Sequence, residues 1–139
     1  MNIKISQEDI QTMALFENMA RVLVVDYLKK EDGLYFVIEC NNIGDVVGEG
    51  GEKIKRIQGK FGQNIKVFKY SDQIKEFLES VLSVPVKSFE MTEKGAKKSV
   101  RFSVEAKDKP MAIGRGGNTI KIATEFLQRN FGVTDVKLM

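Results

Sequence analysis

The chain has 139 residues, 42% of them hydrophobic, enough to bury the core of one ordinary domain or two small ones. Its apolar runs, such as Val22 to Val25, fall far short of the ~18 residues that suggest a membrane span. A single cysteine, Cys40, and no histidine exclude an internal disulfide, a Cys-based zinc cluster and the usual general base. The net charge of +3 is a mild basic bias that permits a nucleic-acid partner without demanding one.

The opening residues show no basic, apolar, small-residue leader, so a cytosolic protein is expected. Ile5-Ser6-Gln7-Glu8-Asp9-Ile10 reads as a helix start, with Ser6 as cap, Asp9 three residues on, and Ile5 placed to staple to Ile10. The helix runs to about Met19. A strand over Arg21 to Lys30, a turn at Glu31-Asp32-Gly33 and a strand from Leu34 to Cys40 follow. In the latter, Leu34, Phe36, Ile38 and Cys40 alternate with Tyr35, Val37 and Glu39, which predicts one face on helices and one less buried. Asn42 caps a short helix that Gly48 ends, and a helix from Gly51 to Lys60 closes at Gly62. Asn64 to Lys69 is the third strand.

From Tyr70-Ser71-Asp72 the series starts again. Ile74, Phe77, Leu78 and Val81 mark a helix, Val84 to Met91 a strand, and Thr92 to Ala96 a turn. Val100, Phe102, Val104 and Ala106 stand 66 residues after Leu34, Phe36, Ile38 and Cys40. In the same register Asp108 takes the capping place of Asn42, and Pro110 falls in a first helical turn. A helix bearing Ile120, Ala123, Leu127 and Phe131 ends at Gly132, and Thr134 to Met139 is the last strand. Each half reads helix, strand, strand, helix, glycine loop, helix, strand. The fold class is therefore α+β, a tandem repeat of one unit over 1–70 and 71–139, with a three-stranded sheet packed on helices in each. No Gly/Ser/Pro-rich linker parts the copies, so a fixed mutual orientation is expected.

The repeat is most plain in two loops. Val46-Val47-Gly48-Glu49-Gly50-Gly51-Glu52-Lys53-Ile54 recurs as Ala112-Ile113-Gly114-Arg115-Gly116-Gly117-Asn118-Thr119-Ile120. Glycines at this spacing let the backbone turn sharply and aim successive amides at an anion. Charge divides the copies: residues 1–70 hold 10 Lys/Arg and 10 Asp/Glu, residues 71–139 hold 12 and 9. Neither loop has the GxxxxGK[ST] of a phosphate-binding NTPase or the GxGxxG of a dinucleotide fold. Asp26, Asp32 and Asp45 read as turn, cap and surface residues rather than as metal ligands. Cys40, on the inward side of its strand, reads as a small buried hydrophobe. No enzymatic activity and no cofactor are expected.

A GxxG loop between two helices, twice in register after an amphipathic strand, resembles the KH domain. The element order, with a helix and strand ahead of the core, is similar to the type II arrangement of prokaryotes. The bare tandem pair resembles the archaeal NusA-like transcription termination and antitermination factors; the polymerase-binding and S1-type domains of bacterial relatives have no counterpart in these residues. The resemblance implies single-stranded RNA as partner, clamped by Gly48, Glu49, Gly50 and Gly51 with Lys53, and by Gly114, Arg115, Gly116 and Gly117 with Lys109 and Lys121 beside them. Lys107 adds to the field, and the edge around Met111 and Ala112 receives bases. RNA polymerase or other transcription factors are further candidate partners, and a monomer is expected. Glu49 departs from the basic or small polar residue usual there and predicts that the first copy binds more weakly or orients the second. Two other readings remain open: a protein-interaction scaffold with degenerate loops, and a ribosome-associated KH protein.

Overall fold

The computed structural model describes residues 6–139. The chain divides into two compact units whose boundary lies between Tyr70 and Ser71. The expected staple of Ile5 to Ile10 falls partly outside the described residues, and Ile10 itself is exposed.

In the first unit, α1 (Gln7–Ala20) starts at the Ser6 cap: the Asp9 amide donates to the Ser6 hydroxyl at 3.1 Å, and the Ser6 amide to the Asp9 carboxylate at 3.4 Å. It ends on Arg21, which is left-handed at φ 58°. Strand β1 (Leu23–Lys30) then pairs antiparallel with β2 (Gly33–Glu39), and β2 pairs parallel with β3 (Ile65–Lys69). A bulge between Val24 and Asp26 changes the parity of β1, so that both Val24 and Tyr27 face the core. The short helix α2 (Ile43–Val47) and α3 (Glu52–Phe61) lie between β2 and β3 in sequence. Phe16, Tyr27, Leu34, Phe36, Ile57 and Ile65 form the buried centre, with the Phe16 and Phe36 rings stacked at 4.0 Å.

The second unit repeats this with α4 (Ile74–Leu82), β4 (Ser88–Lys94), β5 (Lys97–Ser103), α5 (Lys109–Ile113), α6 (Asn118–Phe131) and β6 (Asp135–Leu138). Its sheet has the order β4-β5-β6, with the same antiparallel and then parallel pairing. Phe77, Phe102 and Phe126 are fully buried, and Phe77 meets Phe126 edge-on at 6.4 Å. One tie is common to both units. The Val24 amide donates to the Glu17 carboxylate at 2.8 Å, and the Val86 amide to the Glu79 carboxylate at 2.7 Å. In both, the glutamate stands four residues before a left-handed helix cap, Arg21 at φ 58° or Ser83 at φ 62°.

Several expectations are corrected. Tyr35 and Val37 are as buried as Leu34 and Phe36, so both faces of β2 are covered, and Tyr35 stacks on Phe68 at 6.2 Å. In the second unit the corresponding positions are the exposed Arg101 and the half-buried Ser103. Val84 and Val86 are buried but precede β4, since Pro85 has no amide for a ladder. The hairpin turn narrows to Gly95-Ala96, with Gly95 at φ 58° between the paired Lys94 and Lys97. β5 stops at Ser103, and a 3-10 turn over Ala106–Asp108 leads into α5, so Asp108 makes no side-chain cap. Cys40 lies just beyond β2, half-buried against the core. Burial pushes its thiol up more than Lys69 nearby draws it down. Alkylation of Cys40 by iodoacetamide is therefore expected to rise with pH later than that of a free thiol; a matching profile would show that the site is open to water.

Candidate nucleic-acid interface

The glycine loops join α2 to α3 and α5 to α6, and their backbones agree to within a few degrees. Gly48 has φ 82°, ψ 166° and Gly114 has φ 77°, ψ 173°. Gly50 (61°, 19°) matches Gly116 (62°, 21°), and Gly51 (76°, 16°) matches Gly117 (76°, 14°). The leading glycine is required by space as well as by conformation. A Cβ on Gly48 would stand 2.9 Å from the Lys53 amide, and one on Gly114 would stand 2.8 Å from the Thr119 amide. Gly50 and Gly116 face open space, with nothing within 4 Å of such an atom.

The bonds that close each loop run from the Gly51 and Gly117 amides to the carbonyls of Gly48 and Gly114, both at 3.1 Å. They leave out the amides of Glu49 and Gly50 and of Arg115 and Gly116, at the exposed tip. Helices α3 and α6 begin at Gly51 and Gly117, which have no side chain to cap them. Each loop therefore sits at the positive end of a helix of ten or more residues, a setting that favours an anion.

The side chains around the loops differ. Arg115 is exposed within its loop, and Lys121 lies alongside, its Cε 3.9 Å from where a Cβ on Gly117 would be. Lys109 and Lys107 are also exposed, but they lie toward the far end of α5, about 6 Å along its axis for Lys109. Met111 and Ile113 are large apolar side chains exposed on α5, beside the exposed Pro110. Ala112 is fully buried, so it belongs to the core and not to a base-receiving edge.

In the first unit Lys53 Nζ donates to the Asp45 carbonyl at 3.0 Å and braces the loop against α2. Asp45 occupies the place of Met111, and Glu52 that of Asn118. Over residues 42–55, Asp45, Glu49 and Glu52 outweigh Lys53 and Lys55, a net charge of −1; over 108–121, Lys109, Arg115 and Lys121 outweigh Asp108, a net of +2. Asp45 was missed in the sequence because it reads as an ordinary first-turn acid; only its alignment with Met111 marks it. Among the described residues no three acids or cysteines gather to hold a metal ion. Asp26 accepts from the Tyr27 amide at 2.8 Å, and Asp32 accepts from the Tyr35 hydroxyl at 2.6 Å. Nor is any described helix long and apolar enough to cross a membrane.

Comparison with known proteins agrees with this architecture. The KH domain family matches residues 10–95, a span that includes the first glycine loop and stops short of the second. Along its whole length the chain is 29% identical to a protein of Methanococcus vannielii named "Probable transcription termination protein NusA", of which it covers 81%. It is 27% identical to a protein of the same name from Halobacterium salinarum, with 99% of each chain covered. The solved structure titled "Crystal structure of APE1850" is similar at a TM-score of 0.84 and 28% identity, over 97% of this chain and 100% of that one. With two α+β units that each present a glycine loop between helices, and a family match across more than half of its length, the chain belongs to the KH domain family.

Proposed function

We propose that the chain is a non-enzymatic, single-stranded RNA-binding factor of transcription that holds RNA through its glycine loops, chiefly the second. The observation that carries this reading is the contrast between two loops of one backbone shape: the second carries Arg115 at its tip, where the first carries Glu49. The names of the archaeal relatives support a role in transcription termination. The units are read as KH domains over 1–70 and 71–139. Their order, and the parallel pairing of β2 with β3 and of β5 with β6, support the type II arrangement.

In this reading the exposed amides of Arg115 and Gly116 receive a phosphate, Arg115 adds its planar fork, and Lys121 and Lys109 supply the surrounding field. Met111 and Ile113 offer apolar surface to bases. A first copy with a weak site still raises the effective concentration of RNA at the second. RNA polymerase or another transcription factor is the protein partner, and the setting is cytoplasmic. The acidic first loop also favours a second reading for that unit alone, as a protein-interaction module.

Fluorescence anisotropy with short mixed-sequence single-stranded RNA tests the proposal. With about three cations at the second loop, log affinity is expected to fall with log salt at a slope of about −2. A slope near zero, or equal binding of duplex RNA, would overturn it.

A further inference from the structure

The first unit has a cleft on the side of α3 that faces α1. It encloses about 410 Å³. Met19, Val46 and Ile57 give it an apolar floor, and Arg21, Lys53 and Arg56 line it with positive charge against the single carboxylate of Asp45. Arg21 reaches this place because it is the left-handed cap that ends α1, and Arg56 because it lies one turn beyond Glu52 on α3.

The second unit carries different side chains at the equivalent positions. Aligned through the left-handed caps of α1 and α4, Met19 corresponds to Val81 and Arg21 to Ser83. Aligned through the loops, Lys53 corresponds to Thr119, Arg56 to Ile122 and Ile57 to Ala123. Val81, Ile122 and Ala123 are buried there. One copy of the fold thus has buried apolar side chains at these positions, while the other has a cleft rimmed with cations.

We propose that this cleft is a docking site for an acidic protein segment that inserts one bulky apolar side chain between flanking carboxylates. The floor takes an apolar group, which a leucine-like side chain or a nucleobase can supply, so the charges around it decide the occupant. The rim is ready for carboxylates: Arg56 already stands 3.6 Å from the carboxylate of Glu52 in an exposed pair that a ligand can exchange. A continuous polyanion would have to run past Asp45, Glu49 and Glu52 beside the cleft, whereas a peptide places its charges only where the cations are. A pocket of this size, with an apolar base and a few placed polar groups, suits one anchor residue and its neighbours.

The probe is a fluorescent peptide of aspartate and glutamate residues around one central leucine, titrated into the full chain. Its controls are the same peptide with serine for leucine, a lysine-based counterpart, and a short oligouridylate. The leucine peptide is expected to bind and to shift the amide resonances of residues 19–21 and 53–57. Arg21→Ser and Arg56→Ile, which install the residues of the second unit, should each weaken it, and together by about tenfold or more. Equal binding of the serine peptide would reduce the cleft to general electrostatics, and displacement of the peptide from these residues by oligouridylate would make it an RNA surface. Unchanged affinity in a folded single variant would likewise overturn the proposal.

Discussion

Replacing Arg115 and Gly116 together by aspartate is expected to weaken single-stranded RNA binding by about a hundredfold, while the same change at Glu49 and Gly50 shifts it by no more than about threefold. The magnitude follows from the groups exchanged. A charge-assisted hydrogen bond contributes about 1.5–3 kcal/mol, and about 1.4 kcal/mol is a factor of ten. Arg115→Asp removes such a donor, and two carboxylates at the exposed tip then repel the phosphate. The loop itself survives, because a side chain at Gly116 enters open space. Its left-handed backbone at φ 62° costs about 1 kcal/mol for an ordinary residue and less for aspartate. At Glu49 a carboxylate is already present, so the first-loop variant changes little. Anisotropy titrations of the parent and both variants check this. If both bind like the parent, the glycine loops do not hold RNA.

Phe36→Ala is expected to destabilise the first unit by about 3–5 kcal/mol, a large share of the ~5–15 kcal/mol of a typical domain. Phe36 is fully buried at the centre of an aromatic cluster, 4.0 Å from the Phe16 ring, 4.9 Å from Tyr27 and 6.4 Å from Phe61. Truncation leaves a cavity between α1 and the middle strand that stacked rings on either side cannot readily fill. Leu15→Ala, on the exposed face of α1, is the matched control and should fall within about 0.5 kcal/mol of the parent. Urea unfolding followed by circular dichroism compares the two. Similar midpoints would mean that the aromatic stack does not organise the core.

The parts of the fold that a single periodicity reports were legible before any coordinates. Leu34, Phe36 and Ile38 alternate inward, Ser6 caps α1, and the loop glycines take the left-handed angles that their spacing implies. Alternation describes one face of a strand only, so it gave no sign that Tyr35 and Val37 would be covered as well. Val84 and Val86 have the composition of a strand, yet Pro85 keeps them out of the ladder and burial alone accounts for them. At the candidate site, the glycines and Arg115 were visible as a motif. The burial of Ala112 and the brace from Lys53 to Asp45 depend on how α2 and α5 lie against their neighbours, which no local pattern encodes. The cleft at Arg21 and Arg56 was hidden for the same reason, since its walls come from α1, α2 and α3.

The tie between a helix glutamate and a strand amide seven residues on, made by Glu17 with Val24 and by Glu79 with Val86, also bears on how the chain folds. So short a closure costs little chain entropy, so each helix-to-strand corner is a local contact that can form early. Each unit carries its own such starting point within a contiguous run of sequence. The amino-terminal unit has all of its strands within the first 70 residues, so the contacts of its sheet close over a contiguous run of chain.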